Sequence, residues 1–557
     1  MATQSLTQSD ILMERLASFR HERPGDPFII DDVNGPYSRS TALERVEAIA
    51  KSLSTILGPS GERVSILSDN CADWILADLA VVMSGHVSAP LFTTMTAEKF
   101  SHAVKFLDVK LLFLGPAANW DVVKAEAPKD MLVVSLPHIE PYPGTLSFAE
   151  FLARGAGQPA PERPDVDALC SLILTSGTTG NPKAVMHSLR TLTHVTEAFA
   201  TITRQEGLKE KRLLCHLPLA HVGEKVVTVM QSLLLDATIT VGRGAAHFLD
   251  DLRSIRPTLV LGVPRIWERL IQITVAEFAD SSDELRAQLE ADTGRTLAAK
   301  IREFLGLEAA TCCISAGAIS PQFVKDWFNL FGIEVSDFYG QTEILPLTCQ
   351  RPGEQVAGSV GKATPGFELR ISPDGEILGR GAGTALGYFQ DADNTAATFR
   401  DGWVHTGDKG YLDDTGNLFI IGRMGDIFKT AKGKYVAPAP IENRFSDIPV
   451  VEQQLLFGLG LTQPVMLCTL SAEATRLPEP EVERTLQQAT AEINQKLEPH
   501  ERIGGIIIDR QHWTIERGLL THTHKPMRDR ISATYADQIS ALAEALRDGQ
   551  RKLVAWA

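Results

Sequence analysis

At 557 residues the chain exceeds what one hydrophobic core usually holds, so at least two domains are expected. Its 44% hydrophobic and 22% charged content is that of a globular enzyme, and a formal net charge of -15 argues against nucleic-acid binding, which calls for a basic face. The 7 cysteines are scattered without a C-x-x-C pair and read as reduced core thiols of a cytoplasmic protein. Residues 1–20 lack the charged-then-apolar order of a signal peptide, and no apolar run reaches the length of a transmembrane span, which leaves only peripheral membrane contact.

From Arg63 onward, short apolar runs alternate with amphipathic stretches. RVSILS predicts a strand, and residues 71–85 a helix with Trp74, Ile75, Asp78, Leu79 and Val82 at helical spacing behind Asp69 or Asn70 as cap. VSAPLF, KLLFLG and MLVVSL repeat the strand signal, with EKFSHAVKFLD and NWDVVKAEA as helices between them. Strands separated by helices imply a parallel sheet with crossovers, so the first half reads as a layered α/β domain.

Residues 172–186, LILTSGTTGNPKAVM, run from a buried strand into a loop of hydroxyls and glycines and then a lysine. Gly177 and Gly180 let the backbone turn its N–H groups toward phosphate oxygens; Thr175, Ser176, Thr178 and Thr179 add hydroxyls, and Lys183 a full charge. The loop is not a Walker A motif, because Lys183 follows Gly180 by three positions and is succeeded by Ala184. A shorter Ser/Thr/Gly cluster would read as a surface turn. A helix is expected at 191–203, after which Pro218 breaks LLCHLPLAHVGEK and puts His221 on a loop; an isolated histidine is more often structural than catalytic.

TCCISAGAIS, residues 311–320, reads as a strand ending in a small-residue turn where Gly317 and Ala318 let a flat ring approach the backbone. DFYGQTE follows with Tyr339, Thr342 and Glu343, the last an oxygen donor suited to a hard cation on phosphates. In VHTGDKGYLDDTGN, Asp408 reads as a loop residue after a strand, able to accept two ribose hydroxyls. Beyond residue 425, QLLFGL and GIIIDR predict strands and TLQQATAEINQKL a helix. His522 and His524 alternate near the end, but without a further ligand nearby they do not make a metal site.

TSGTTGNPK resembles the phosphate loop of the acyl-adenylate-forming superfamily, and the resemblance extends in order through LPLAHV, IRPTLVLGVPRIWERL, DFYGQTE, TGD, FIIGRMGDIFKTAKGKYVAP and the terminal lysine motif at Lys525 and Arg528, covering roughly residues 24–530. LPLAHV and residues 74–94 and 255–270 resemble the long-chain fatty acyl-CoA synthetase branch. The resemblance implies a large N-terminal domain of layered sheets and helices over 1–424, and a small mobile α+β domain over 425–557 that turns about a hinge at Gly425. It implies ATP contacts from Thr175, Ser176, Gly177, Thr178, Thr179, Gly180, Lys183, Gly317, Ala318, Tyr339, Thr342, Asp408 and Arg423, with Mg²⁺ held by Glu343 and Thr178. Catalysis would fall to Lys525, Thr342, Glu343 and His221, and coenzyme A would be bound at Gly433. The implied reaction makes acyl-AMP and pyrophosphate from a carboxylic acid and ATP, then the coenzyme A thioester. A carrier protein's phosphopantetheine is the alternative acceptor, and a non-catalytic nucleotide- or acyl-binding homologue a further alternative. Departures from the usual pattern are Ala184, Gly425 at the hinge, and Ala385 before the GYF segment.

Overall fold

The structure is a computed structural model that describes residues 11–33, 35–117, 119–137, 139–175, 182–203, 207–446, 448–521, 525–547 and 554–557. The chain packs into two compact units, Met1–Leu369 with Gly379–His405, and Arg370–Leu378 with Thr406–Ala557.

Two sheets build the first unit. An eight-stranded sheet carries the parallel strands Leu169–Thr175, Val87–Ser88, Arg63–Leu67, Val109–Leu114 and Leu132–Ser135 as consecutive neighbours. A nine-stranded sheet carries Val335–Gln341, Cys312–Ser315, Leu259–Gly262, Arg212–Cys215, Thr238–Val241 and Pro27–Asp31, also parallel. Their near-continuous apolar runs suit strands covered on both faces. The layered α/β architecture expected from the alternating pattern is therefore present.

Helix Ala72–Met83 lies at the centre of this unit. Every residue from Ala72 to Val82 is buried, and the helix shares one core cluster with Ile29 of the nine-stranded sheet and Val64 and Ile66 of the eight-stranded sheet. A helix buried all round belongs inside a core, and its acids are partnered there, Asp78 by the Lys225 ammonium and Asp73 by the Tyr37 hydroxyl. Its cap differs from expectation. Cys71 occupies the cap position without a side-chain cap bond to the helix, and the Ala72 N–H donates instead to the Asp31 carboxylate at 2.7 Å, from a strand distant in sequence. Asp69 and Asn70 are engaged elsewhere: Asp69 accepts from the Thr93 hydroxyl at 2.9 Å, and the Asn70 amide donates to the Leu217 carbonyl at 2.7 Å.

A second departure follows the phosphate loop. Leu169–Thr175 pairs antiparallel with a further strand, Lys183–Ser188, before helix Leu189–Thr203 begins. The loop thus connects a hairpin, with Thr175 opposite Lys183.

The second unit holds a four-stranded sheet in which Val451–Phe457 pairs antiparallel with Val465–Leu470, followed in parallel by Gly505–Asp509 and Val554–Trp556. One face packs with Val482, Leu486 and Ile493 of helix Glu479–Gln495, the other with Ile531, Tyr535, Ile539 and Leu542. The all-buried VMLCTL and GIIID follow from this double cover.

Candidate active site

In the first unit, the residues expected to handle phosphate meet around a side chain the sequence reading did not single out. Lys183, half-buried at the start of its strand, donates to Asn394 Oδ1 at 2.9 Å and places its ammonium 4.7 Å from the centre of the Tyr388 ring. The Tyr388 hydroxyl donates to Glu343 Oε1 at 2.6 Å. Tyr388 reaches this position because strand Gly387–Tyr388 pairs antiparallel with the strand carrying Lys183, Tyr388 opposite Val185. Asn394 is oriented by Asp391, which caps helix Ala392–Thr398 and accepts from the Asn394 amide at 2.7 Å.

Thr342 and Glu343 form the tight turn between the antiparallel strands Val335–Gln341 and Ile344–Cys349. Their backbone is held from both sides: the Glu343 carbonyl accepts the Ala385 N–H at 2.9 Å, and the Thr342 carbonyl lies 2.9 Å from His187 Nε2. Burial pushes the His187 imidazole down to about 4, against the opposing Thr342 contact, so it is neutral and carries its proton on Nε2, facing the carbonyl.

Tyr339 is half-buried near the end of its strand. Gly317 and Ala318 are exposed in the turn after the neighbouring parallel strand Cys312–Ser315, so both features lie at the C-terminal end of the sheet, where open α/β sheets bind ligands. Gly317 has φ +85°, and the nearest atom to an added Cβ would be Val263 Cγ1 at 3.7 Å. His221 ends the loop as expected and caps the short helix Val222–Glu224, its Nδ1 accepting from the Gly223 N–H at 3.1 Å. Ser176, Gly177, Thr178, Thr179 and Gly180 lie outside the described residues, as do His522 and His524.

The second unit groups the remaining residues. Asp408 is not in a loop: it sits within strand Trp403–Leu412, opposite Arg423 of Leu418–Arg423, and their side chains form an ion pair at 2.9 Å. Asp408 is buried while Arg423 is exposed and also donates to the Thr406 carbonyl at 3.2 Å. The Thr521 N–H donates to the Lys525 carbonyl at 2.8 Å. The Lys525 side chain is exposed, and its ammonium is held below the usual lysine range, first by desolvation and then by the Arg423 guanidinium, with Asp408 opposing. Lys525 is thus within electrostatic reach of the Asp408–Arg423 pair.

Arg528, in the same terminal motif, donates to Glu442 Oε1 at 2.7 Å and to the Leu456 carbonyl at 2.8 Å. Gly425 lies in a 3-10 turn with open space where a Cβ would be. Gly433 turns the hairpin between Phe428–Lys429 and Tyr435–Val436 at φ +75°, a conformation that favours glycine.

Comparison with known proteins identifies the family. The profile of the AMP-binding enzyme family matches residues 16–389, and that of the AMP-binding enzyme C-terminal domain residues 425–547. The long-chain-fatty-acid–CoA ligase FadD15 of Mycobacterium tuberculosis is 26% identical, over 94% of this chain and 96% of its own length. Fatty acyl-CoA synthetase A of Dictyostelium discoideum is 25% identical, over 93% and 88%. Among solved structures, the adenylation domain of a carboxylate reductase from Mycobacterium chelonae shares the fold with a TM-score of 0.79 at 21% identity, covering 97% of this chain and 92% of that one. A profile that takes in most of the chain, joined by a second over its C-terminal part, settles the relationship: the chain belongs to the AMP-binding enzyme family.

Proposed function

We propose that this chain is an AMP-forming acyl-CoA synthetase that activates a carboxylic acid, a fatty acid foremost, and passes the acyl group to coenzyme A. The observation that carries the reading is the grouping of Lys525 with Asp408 and Arg423. Lys525 lies within the electrostatic field of a carboxylate suited to ribose hydroxyls, in a family that binds AMP. Relatives named as long-chain-fatty-acid–CoA ligases over nearly their whole length support the substrate class.

A carboxylate resists thiol attack because oxide is a poor leaving group, so the acid is first joined to the α-phosphate of ATP, releasing pyrophosphate. The chain's part in that step is to hold developing charge. Lys183 faces the phosphates from the start of its strand, Asp408 and Arg423 take the ribose, Tyr339 stacks on adenine beside Gly317 and Ala318, Thr342 bonds phosphate, and Lys525 neutralises charge where carboxylate meets phosphorus. His221 stands beside the acyl carboxylate.

Mg²⁺ enters this reading with the nucleotide. The half-buried Glu343 carboxylate has one oxygen engaged by Tyr388, and a lone carboxylate is the donor set that Mg²⁺ takes when phosphates and waters complete its shell. Thr178 is the second assigned ligand. Bound there, the ion would neutralise phosphate oxygens.

The thioester step needs a thiol where Lys525 stood, and we assign that exchange to rotation of residues 425–557 about Gly425 relative to 1–424, with Gly433 lining the path of the pantetheine arm. Glycine at 433 leaves that turn without a side chain. The buried, free cysteines fit the reducing cytoplasm as the compartment. The test is ATP–pyrophosphate exchange with carboxylates from acetate to palmitate and with aryl acids, followed by thioester formation with coenzyme A and with a carrier protein. Thioester on the carrier protein alone reassigns the acceptor, and no exchange with any acid overturns the reading.

A further inference from the structure

Lys183 and Glu343 are 160 positions apart in a chain of 557, yet one aromatic side chain touches both. Tyr388 is only 6% exposed, and its position is fixed from several directions. Its N–H donates to Thr395 Oγ1 at 2.9 Å, and Phe399 packs against its ring at 5.7 Å and 71°. The neighbouring backbone adds two bonds, Leu386 N–H to the Met186 carbonyl at 2.8 Å and Phe389 N–H to the Ala184 carbonyl at 2.9 Å. Its hydroxyl points at Glu343 Oε1, and its ring face at the Lys183 ammonium.

We propose that Tyr388 is a positioning residue that braces the two groups assigned to the triphosphate, fixing the Glu343 carboxylate through its hydroxyl and seating the Lys183 ammonium on its ring, with Asn394 completing the lysine's seat. A free glutamate samples many rotamers, and ordering it has an entropy cost at the moment of binding. A hydroxyl bonded to Oε1 removes most of that cost beforehand and leaves Oε2 to face a cation. A carboxylate only accepts, so in this pair the phenol is the donor. Asn394 cannot swap its amide ends without losing Asp391, so its oxygen stays turned to Lys183. The hydroxyl therefore acts on the metal side, and the ring with Asn394 acts on the lysine side.

This inference rests on the assignment of Glu343 to Mg²⁺ and Lys183 to phosphate made above, and the test separates the two. In Tyr388→Phe the ring stays and the hydroxyl goes. The free Mg²⁺ giving half-maximal ATP–pyrophosphate exchange at saturating ATP should rise about ten-fold, the effect of losing one charge-assisted hydrogen bond. The calorimetric Kd for ATP in EDTA, which reads the lysine side without metal or turnover, should stay at the wild-type value. In Asn394→Ala the pattern should invert: weaker ATP binding in EDTA, with Mg²⁺ dependence unchanged. Asn394 is half-buried in a short helix without buried residues, so this variant keeps the proposal testable if replacements at Tyr388 lower the thermal midpoint. A wild-type Mg²⁺ dependence in Tyr388→Phe, alongside a shifted one in Glu343→Ala, overturns the brace and leaves the functional reading standing. Unshifted Mg²⁺ dependence in Glu343→Ala removes the assignment of Glu343 and this inference with it. An Asn394→Ala variant that binds ATP normally in EDTA overturns the lysine arm.

Discussion

Replacing Lys525 by alanine is the perturbation that separates the two half-reactions. Asp408 and Arg423, paired at 2.9 Å, nearly cancel, so Lys525 supplies the net positive charge of the group. A unit charge about 4 Å from charge developing on the acyl phosphate is worth about 4 kcal/mol at the effective dielectric of a partly exposed site. That lies at the upper end of the range of about 2.7–4 kcal/mol for one electrostatic donor in a catalytic site, so acyl-AMP formation should fall roughly 10²- to 10³-fold. Removing an interaction made only in the first transition state leaves the second step unchanged, so acyl-AMP supplied with coenzyme A should still give thioester at close to the wild-type rate. Single-turnover measurement of each half-reaction reads both. The lowered Lys525 pKa adds a pH signature: the ammonium is lost as pH rises through that value, so adenylation should decline on the alkaline side before an ordinary lysine titrates. Lys525→Arg, which keeps its charge throughout, should remove that alkaline limb even if its rate is lower. Near-normal adenylation by Lys525→Ala, or equal loss in both steps, would refute the assignment.

Glu343→Ala should lower adenylation by about 3 kcal/mol, only partly recovered by raised Mg²⁺; wild-type turnover at limiting Mg²⁺ speaks against Glu343 as a ligand. Gly425→Ala should be tolerated, because a Cβ there meets nothing within 4 Å, whereas Gly425→Pro fixes φ and should spare adenylation while slowing thioester formation; parallel loss in both steps points to misfolding or a pivot elsewhere. Asp78→Ala strands the Lys225 ammonium, which sits 2.7 Å from Asp78 with both side chains 1% exposed. Breaking such a buried pair should cost about 3–5 kcal/mol in urea denaturation, and a loss below about 1 kcal/mol would mean that water or another partner reaches Lys225.

Much of the first unit is legible in sequence because its strands and central helix are written as local periodicity. RVSILS, KLLFLG and TCCIS become the strands Arg63–Leu67, Val109–Leu114 and Cys312–Ser315, and WILADLAVVM lies in a helix buried on every side. What escaped was set by partners distant in the chain. The cap of the central helix comes from Asp31, 41 positions earlier, and the seat of Lys183 from Asn394, 211 positions later. No spacing rule encodes such pairs, because register and layer packing bring them together. Asp408 was misplaced for a related reason: TGD reads as a turn by composition, but pairing across to Arg423 draws it into a strand. The buried π-helical turn Lys225–Met230 likewise follows from packing rather than from the propensities of KVVTVM.

Membership of the two compact units constrains the hinge proposal in a way the motif order does not. Lys183, Thr342, Glu343, Tyr339 and Gly317 belong to the first unit, whereas Asp408, Arg423, Gly425, Gly433 and Lys525 belong to the second. The ribose pair is tied there by its own hairpin, with the Thr406 hydroxyl donating to the Ile377 carbonyl at 2.8 Å and the Gly407 N–H to Glu376 Oε1 at 2.9 Å. A moving body that begins at Gly425 leaves Asp408 and Arg423 behind when Lys525 departs; a moving body equal to the second unit carries all of them together. The first case releases Lys525 from the Arg423 field that helps depress its pKa, and the second preserves it. Gly425→Pro discriminates, because a rigid φ at residue 425 obstructs only the first rotation. Slowed thioester formation in that variant places the pivot at Gly425, and unchanged kinetics in both steps moves it to the boundary of the two units, which the chain crosses at residues 369–370, 378–379 and 405–406.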